Sequence, residues 1–344
     1  MFADRRAKTA HGVIAYGRDV TVAIIDPDHA GQRVSAVVPY LRSDAPIVAN
    51  LAAALALGPS ALLVGVAPPG GALPPAWRGA IVGALHAGLE VVSGLHQLLG
   101  EDAEFVAAAS RGGARIWDVR VPPAARLFSA AAYAVAARVV LTVGSDCAVG
   151  KMTVALELTR AAALRGLRAR FVATGQTGIL IASGGIAIDR VISDFAAGAA
   201  EELVVRSAAE ADILFVEGQG GINHPAFAPV TIALLYGSAP DALVLVHVPS
   251  RTAIDGYGTP LLGYRRLVAL YEELCAAVKP ARVVGIALNT AHLDEGAARA
   301  AIETARAESG LPADDVVRFG AEAFYEAIAP NIALKTSPLK APCA

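Results

Sequence analysis

A glycine-bounded loop followed by a lysine is the part of this sequence best suited to bind phosphate groups. The apolar run Val139–Val143 leads into Gly144-Ser145-Asp146-Cys147-Ala148-Val149-Gly150-Lys151-Met152-Thr153, and the Ala- and Leu-rich stretch Ala155–Leu164 follows. A buried strand, a glycine-bounded loop, a lysine and a helix occur here in the order of a P-loop. Glycines let backbone N–H groups surround phosphate oxygens, the helix N-terminus adds partial positive charge, and Lys151 supplies a cation. We therefore expect residues 144–153 to bind the phosphates of a cofactor.

Two features of this loop differ from the common P-loop pattern. Five residues separate Gly144 from Gly150, one more than in the standard motif, and this spacing resembles that of dethiobiotin synthetase and its relatives. Met152 stands where a Ser or Thr normally ligates Mg²⁺, and a thioether is a poor ligand for a hard cation that prefers oxygen. The sequence thus favours phosphate binding, argues against Mg²⁺-assisted cleavage of a γ-phosphate, and predicts no metal site.

A second glycine-rich segment follows another apolar run. Asp212–Val216 leads into Glu217-Gly218-Gln219-Gly220-Gly221, with His224 shortly after. An acidic residue at the carboxyl end of a buried strand is typical of the Walker B position, and the glycines allow a ligand to approach closely. An acid that only caps the sheet edge is the alternative. We expect Gly218, Gln219 and Gly220 to contact substrate.

Other polar residues follow further apolar runs that are predicted to be strands. Thr174-Gly175-Gln176-Thr177-Gly178 comes directly after an apolar run, and ligands of open α/β sheets bind beyond the carboxyl ends of strands. We therefore expect Gln176 and Thr177 to contact substrate. Asp189 and Asp194 lie on a predicted helix over 187–200, where five-residue spacing lets at most one of them face the P-loop. Asp189 is our catalytic candidate, and a solvated helix face is the alternative for either residue. Asn289 is a candidate for recognising a nucleotide base, with a helix N-cap as the alternative.

The elements that must position these residues are predicted to form two successive groups of alternating strands and helices. Strands are expected at 20–25, 61–66 and 89–93, and again at 138–143, 169–174, 212–217, 242–248 and 282–288, with helices between them. Near-continuous Val, Leu and Ile runs are typical of parallel strands covered on both faces. Val121-Pro122-Pro123 reads as a linker. The predicted fold class is α/β, with a Rossmann-like domain over 1–125 and a P-loop domain with a mainly parallel sheet over 126–344.

Composition excludes several classes of protein. The chain has 344 residues, of which 55% are hydrophobic and 17% charged, and its formal net charge is −2. Such a chain buries enough apolar surface to fold, and Pro59, Ser60 and Arg138 interrupt its most apolar runs, so no membrane span is expected. The near-balanced charge argues against nucleic acid as a partner. Three separated cysteines, Cys147, Cys275 and Cys343, fit a reducing cytoplasm. Low charge with abundant apolar residues predicts a homo-oligomer.

Taken together, the motifs resemble the D-glutamate N-acetyltransferase family, a group of P-loop proteins formerly of unknown function. The resemblance rests on residues 144–153, 173–178 and 216–220 with His224-Pro225, on Ala7-Lys8-Thr9, and on Ser93-Gly94-Leu95-His96 and Ile116-Trp117-Asp118-Val119-Arg120. It spans nearly the whole chain. Gly221-Ile222-Asn223 departs from the family pattern, and we expect this loop to shape the acceptor pocket.

The resemblance implies transfer of acetyl from acetyl-CoA to the amine of a small acidic acceptor, D-glutamate. Acyl transfer from a thioester needs no Mg²⁺, in keeping with Met152. This chemistry requires a general base for the ammonium group, and Glu217 and His224 are the two candidates. It also requires donors for an oxyanion, for which we nominate the backbone N–H groups of 218–221. Arg251 or Lys8 would pair with the acceptor's carboxylates. Two alternatives stay open: an ATP-dependent kinase or ligase of the dethiobiotin synthetase type, and a nucleotide- or CoA-binding protein without turnover.

Overall fold

The computed structural model describes residues 1–335, so Cys343 lies outside the described residues. Two compact units divide the chain. The first contains Met1–Pro122 and Gln176–Arg190, and the second contains Pro123–Gly175 and Val191 onward. Gln176–Arg190 therefore belongs to the first unit, although it follows the P-loop along the chain. The sequence predicted two consecutive domains, 1–125 and 126–344, and did not predict this return of the chain.

The first unit contains short parallel strands. Strands β1 (Ile24–Ile25) and β2 (Ile47–Val48) pair with each other, and a second sheet has the order β3-β4-β5, from β3 (Ala61–Val64), β4 (Glu90–Ser93) and β5 (Ile116–Asp118). Its helices are α1 (Lys8–Tyr16), α2 (Val34–Val37), α3 (Leu51–Leu55), α4 (Arg78–His86), α5 (Ala103–Gly112) and α7 (Gln176–Ala182). The predicted strand over 20–25 is wrong in extent, because only Ile24 and Ile25 pair with a neighbour.

The second unit is built on one parallel sheet of six strands in the order β11-β10-β9-β6-β8-β7. Its strands are β6 (Arg138–Gly144), β7 (Ala169–Val172), β8 (Ile213–Val216), β9 (Ala242–His247), β10 (Arg282–Leu288) and β11 (Ala313–Asp314). Its helices are α6 (Lys151–Leu164), α8 (Ser193–Ala208), α9 (Ala228–Gly237), α10 (Tyr264–Ala276), α11 (Glu295–Ser309) and α12 (Glu322–Ile328). The α/β fold class and its parallel sheets are confirmed, and the predicted strands of this unit agree with the observed ones to within two residues.

The core of the second unit explains its apolar composition. Strands β6, β8 and β9 are buried along almost their entire length, because helices cover both faces of the sheet. Across the described part of the chain, no helix combines the length and apolar character needed to cross a membrane.

The predicted helix over 187–200 is interrupted. Ile188–Arg190 forms a 3₁₀ turn, and α8 begins only at Ser193. Asp189 and Asp194 consequently lie on different elements and in different units.

Candidate functional site: the P-loop and its surroundings

The loop between β6 and α6 has the backbone of a phosphate-binding turn. Ala148 and Gly150 both adopt positive φ, at 51° and 111°, so the chain coils between Gly144 and the start of α6. Gly150 caps α6 without a side-chain hydrogen bond. The first-turn N–H groups of a helix have no intrahelical acceptor. The N-terminus of this 14-residue helix is thus suited to bind an anion.

Lys151 is buried beside this loop. Its Nζ donates to Asp146 O at 2.8 Å and to Gly220 O at 2.7 Å. A side chain at Gly144 is excluded because its Cβ would lie 2.9 Å from Asp146 O, and it would also lie 2.7 Å from the same Nζ. The ammonium group therefore links the P-loop to the segment that follows β8.

Glu217 links the ends of strands β7 and β8. Its Oε2 accepts hydrogen bonds from Thr174 N at 3.0 Å and Gly175 N at 3.1 Å, while Thr174 Oγ1 donates to Glu217 O at 2.7 Å. Gln219 Nε2 also donates to Thr174 O, at 2.5 Å. The carboxylate predicted as a base thus holds two backbone N–H groups, a positioning contact for the loop after β7.

The glycines after Glu217 allow this segment to pass directly against the P-loop. A Cβ at Gly218 would lie 1.7 Å from Thr142 O, and one at Gly221 would lie 3.1 Å from Asp146 Cα. Gly218 N donates to Thr142 Oγ1 at 3.0 Å, so this N–H, which the sequence nominated for an oxyanion, already has an acceptor. Gly220 adopts a φ of 64°.

Asp146 is the buried charge at the centre of the loop. Its Oδ1 accepts from Cys147 N at 2.6 Å, and its Oδ2 accepts from Asp255 N at 2.9 Å and from Arg251 Nη1 at 2.8 Å. Arg251 Nη1 also donates to Cys147 O at 2.7 Å. Arg251, predicted to pair with an acceptor carboxylate, instead neutralises Asp146 and fixes the shape of the loop.

The contacts of His224 determine which of its nitrogens carries the proton. Nδ1 accepts from Ala226 N at 3.1 Å and Phe227 N at 3.3 Å. In the neutral ring the proton is therefore on Nε2, which faces Asp146 Oδ1 at 3.8 Å. In this arrangement His224 presents a donor rather than a basic nitrogen to Asp146.

Possible ligand atoms of Asp146, Cys147 and His224 all lie within 4.8 Å of one another. A metal-binding histidine normally donates from its second ring nitrogen, whereas Nδ1 of His224 accepts from two backbone N–H groups. The residues fit a hydrogen-bonded cluster better than a metal site. The P-loop as a whole is also poorly suited to Mg²⁺, since Met152 stands where a hydroxyl ligand is usual.

Three further side chains hold the P-loop from neighbouring strands and helices. Ser145 Oγ lies 2.9 Å from Nδ1 of His247, and burial, aided by Arg251, lowers the pKa of His247 to about 4; the ring is neutral at pH 7. Asn289 Nδ2 donates to Val149 O at 3.4 Å. Tyr271 is the third of these side chains, and the sequence did not predict it.

Tyr271 donates from its hydroxyl to Gly144 O at 2.7 Å and accepts from Ile222 N at 3.1 Å. Burial raises the pKa of this hydroxyl above its usual value, so it stays protonated. It lies on α10, far along the chain from the loop, and no motif in the sequence marks it.

Comparison with known proteins places this architecture in a family. The P-loop domain of DUF1611, described as a domain of unknown function, matches residues 126–325, and the Rossmann-like N-terminal domain of DUF1611 matches residues 27–122. The chain belongs to the DUF1611 family. Together with two relatives named D-glutamate N-acetyltransferase, this match confirms the resemblance inferred from the sequence.

Individual relatives cover most of the chain of this DUF1611 protein. A D-glutamate N-acetyltransferase from Tritonibacter scottomollicae is 39% identical over 90% of this chain and 93% of its own. A second one, from a Pseudoalteromonas species, is 36% identical over 79% of this chain and 82% of its own. The crystal structure of a DUF1611 family protein from Anabaena variabilis is 42% identical, covers 95% of this chain and 96% of its own, and has a TM-score of 0.92.

Four predicted site residues of this DUF1611 protein belong to its first unit. Lys8 is exposed at the start of α1. Gln176 and Thr177 begin α7 and are buried against Thr9, with Gln176 Nε2 at 3.2 Å and Thr177 Oγ1 at 3.1 Å from Thr9 Oγ1. Asp189 pairs with Arg120. The sequence placed Gln176 and Thr177, and allowed Asp189, beside the P-loop, whereas the structure places all three in the first unit.

Proposed function

We propose that this protein transfers acetyl from acetyl-CoA to the amine of D-glutamate. The observation that carries the proposal is the similarity to two proteins named D-glutamate N-acetyltransferase, at 39% and 36% identity over most of each chain. The acceptor is a dicarboxylate with an ammonium group, so the enzyme must remove a proton and release coenzyme A as a thiol.

In this proposal the P-loop binds the phosphates of coenzyme A without cleaving them. The uncapped start of α6 offers backbone N–H groups to phosphate oxygens, and the ammonium of Lys151 offers a cation. On binding, Lys151 would exchange the carbonyls of Asp146 and Gly220 for phosphate oxygens. Met152 supports phosphate binding without Mg²⁺, because acyl transfer from a thioester places no demand on a metal.

The chemistry of coenzyme A limits the roles of the residues around this loop. Its phosphates and its thioester are at opposite ends of the pantetheine arm, so residues that contact the P-loop surround the phosphate end. Glu217 accepts from backbone N–H groups after β7, Gly218 N donates to the Thr142 hydroxyl, and Gly220 O accepts from the Lys151 ammonium. We therefore assign them, together with Gln219, His224 and Arg251, to shaping the phosphate site rather than to acetyl transfer.

An ATP-dependent kinase or ligase is the second candidate. The long P-loop spacing and the acidic Glu217 after β8 favour it, and Met152 opposes it. Binding of a nucleotide or coenzyme A without turnover is a third outcome that the same experiment detects.

Two parallel incubations of the purified protein separate these functions. One contains acetyl-CoA with D-glutamate or other amino acids and follows the free thiol; the other contains ATP and Mg²⁺ and follows phosphate. We expect thiol release that depends on D-glutamate, with no phosphate above the protein-free control. Magnesium-dependent phosphate release without thiol release would contradict the proposal, and so would tight binding of coenzyme A with no product from any acceptor.

A further inference from the structure

Three loops meet at the carboxyl edge of the β3-β4-β5 sheet in the first unit. Gly71 follows β3, His96 follows β4 and Arg120 follows β5. Both His96 N and Gln97 N donate to Gly71 O, at 3.0 and 3.1 Å, and Arg120 Nε donates to Gly94 O at 2.7 Å. Since ligands of open parallel sheets bind at this edge, the loops form a candidate site that the P-loop does not explain.

This edge carries a cluster of opposite charges that remains reachable from solvent. The side chain of Arg120 is only 9% exposed and pairs with Asp189, which is 28% exposed. His96, which is 43% exposed, places Nε2 3.9 Å from Asp189 Oδ2. Arg190 is exposed beside them. A buried arginine thus anchors a carboxylate and an imidazole whose outer faces are open.

The imidazole of His96 is held in place by close packing. A Cβ at Gly71 would lie 2.5 Å from His96 Cδ2, and Gly71 has a φ of 67°. Two residues before His96, a Cβ at Gly94 would lie 1.8 Å from Gln176 Oε1. The turn between β4 and His96 therefore fits tightly between the loop after β3 and the first residue of α7, which fixes the ring relative to Asp189.

Burial keeps the His96 ring neutral near pH 7. Burial lowers the pKa of the ring most, Arg120 and Arg190 also lower it, and Asp189 opposes them. The carboxylate of Asp189 favours the proton on Nε2, the nitrogen that it faces. Nδ1 is then the basic nitrogen.

We propose that this edge of the first unit binds the acidic amino-acid acceptor and that His96 is its general base. The inference rests on the proposed acetyl transfer. The cluster complements such a ligand, because Nδ1 of His96 can accept a hydrogen bond from the ammonium group while the exposed guanidinium of Arg190 attracts a carboxylate. The sequence motifs that contain His96 and Arg120 have no role in the phosphate site. The proposed acceptor site gives them a role.

The reaction balances with these groups alone. Nδ1 of His96 takes one proton from the ammonium group, and the freed amine attacks the acetyl carbon. The new C–N bond forms as the C–S bond breaks, and the electron pair leaves with sulfur. The second proton lost by nitrogen goes to that sulfur, which gives free coenzyme A, and His96 returns its proton to solvent.

The test compares two variants with matched controls in the full-length protein. We expect His96→Gln to lower kcat by about 10²- to 10⁴-fold, the usual contribution of a general base, and to change the Kd of D-glutamate far less. Arg190→Gln should raise that Kd roughly tenfold or more, as expected for a lost charge-assisted contact. The controls are His86→Gln, at the exposed end of α4, and Arg18→Gln, also exposed; both should behave like wild type.

Binding of D-glutamate is measured by calorimetry without acetyl-CoA, and kcat/KM is measured against pH. In wild type, kcat/KM should fall at low pH because protonated His96 cannot act as a base. Arg120, Arg190 and Asp189 are the charged groups that face its ring. The His96→Gln variant should not show this decrease at low pH. Because Arg190 is exposed, its variant gives a result even where His96→Gln fails to fold.

The possible failures are distinguishable. A wild type that acetylates D-glutamate, with both variants matching their controls, would overturn this site and leave the proposed function standing. A wild type that acetylates no acceptor would overturn the proposed function itself.

Discussion

Replacement of Lys151 by methionine tests the phosphate site most sharply. The substitution keeps a long side chain but removes the ammonium that donates to Asp146 O and Gly220 O. A hydrogen bond from a charged group contributes about 1.5–3 kcal/mol. Loss of one such bond to phosphate corresponds to a roughly 10- to 160-fold rise in the Kd of coenzyme A.

The same substitution leaves two buried carbonyl oxygens without this donor, so stability must be measured beside affinity. Lys279→Met is the matched control, because Lys279 is partly buried and likewise donates to two acceptors, Ala239 O at 2.5 Å and Asp241 Oδ1 at 2.7 Å. Both variants should melt at lower temperature than wild type, but only Lys151→Met should weaken coenzyme A binding.

The Kd of coenzyme A for each of the two variants is measured by calorimetry. All measurements use the same ionic strength, because salt screens contacts between charges. Pantetheine, which lacks the phosphates, should bind wild type and Lys151→Met equally weakly. An unchanged Kd for coenzyme A in Lys151→Met, or an equal rise in Lys279→Met, would refute the placement of the phosphates at Lys151.

Four other outcomes are expected. Gly218→Ala should lower both the melting temperature and coenzyme A affinity, because its Cβ would meet Thr142 O at 1.7 Å; Gly263→Ala, which has open space around it, should change neither in the same two assays. Chelation of divalent cations by EDTA should leave the rate of thiol release from acetyl-CoA unchanged, and restoration of a lost rate by Mg²⁺ would contradict metal-free transfer. Burial alone would raise the pKa of Asp241, but hydrogen bonds from Lys279 and Val139 N lower it overall, so its carboxylate stabilises the fold above its unfolded pKa of about 3.9. Asp241→Asn should thus be less stable than wild type at pH 7, with the difference shrinking as the pH of the unfolding experiment falls below about 4. Light scattering at micromolar concentration should detect an oligomer, and a monomer there would contradict the inference from apolar composition.

The sequence predicted the second unit well because its signals are local. Continuous apolar runs identify buried parallel strands, and the loop from Gly144 to Lys151 lies between a strand and a helix as the motif requires. The first unit was harder, since β1, β2 and β5 have only two or three residues each and leave little periodicity to read.

The contacts of the candidate sites depend on residues far apart in the chain. Arg251 reaches Asp146, and Tyr271 reaches Gly144, across more than a hundred residues. Asp189 pairs with Arg120 because Gln176–Arg190 folds with the first unit. Pairings of this kind are set by the course of the chain in three dimensions, which no spacing within one motif encodes.

The central claim is that acetyl moves from coenzyme A to D-glutamate, and the most direct test follows the acetyl group itself. Acetyl-CoA labelled with ¹³C in the acetyl group is incubated with D-glutamate and the wild-type protein, and mass spectrometry and thiol titration quantify the products. We predict labelled N-acetyl-D-glutamate and free coenzyme A in equal amounts. Release of thiol without labelled product, or of neither, would contradict the account.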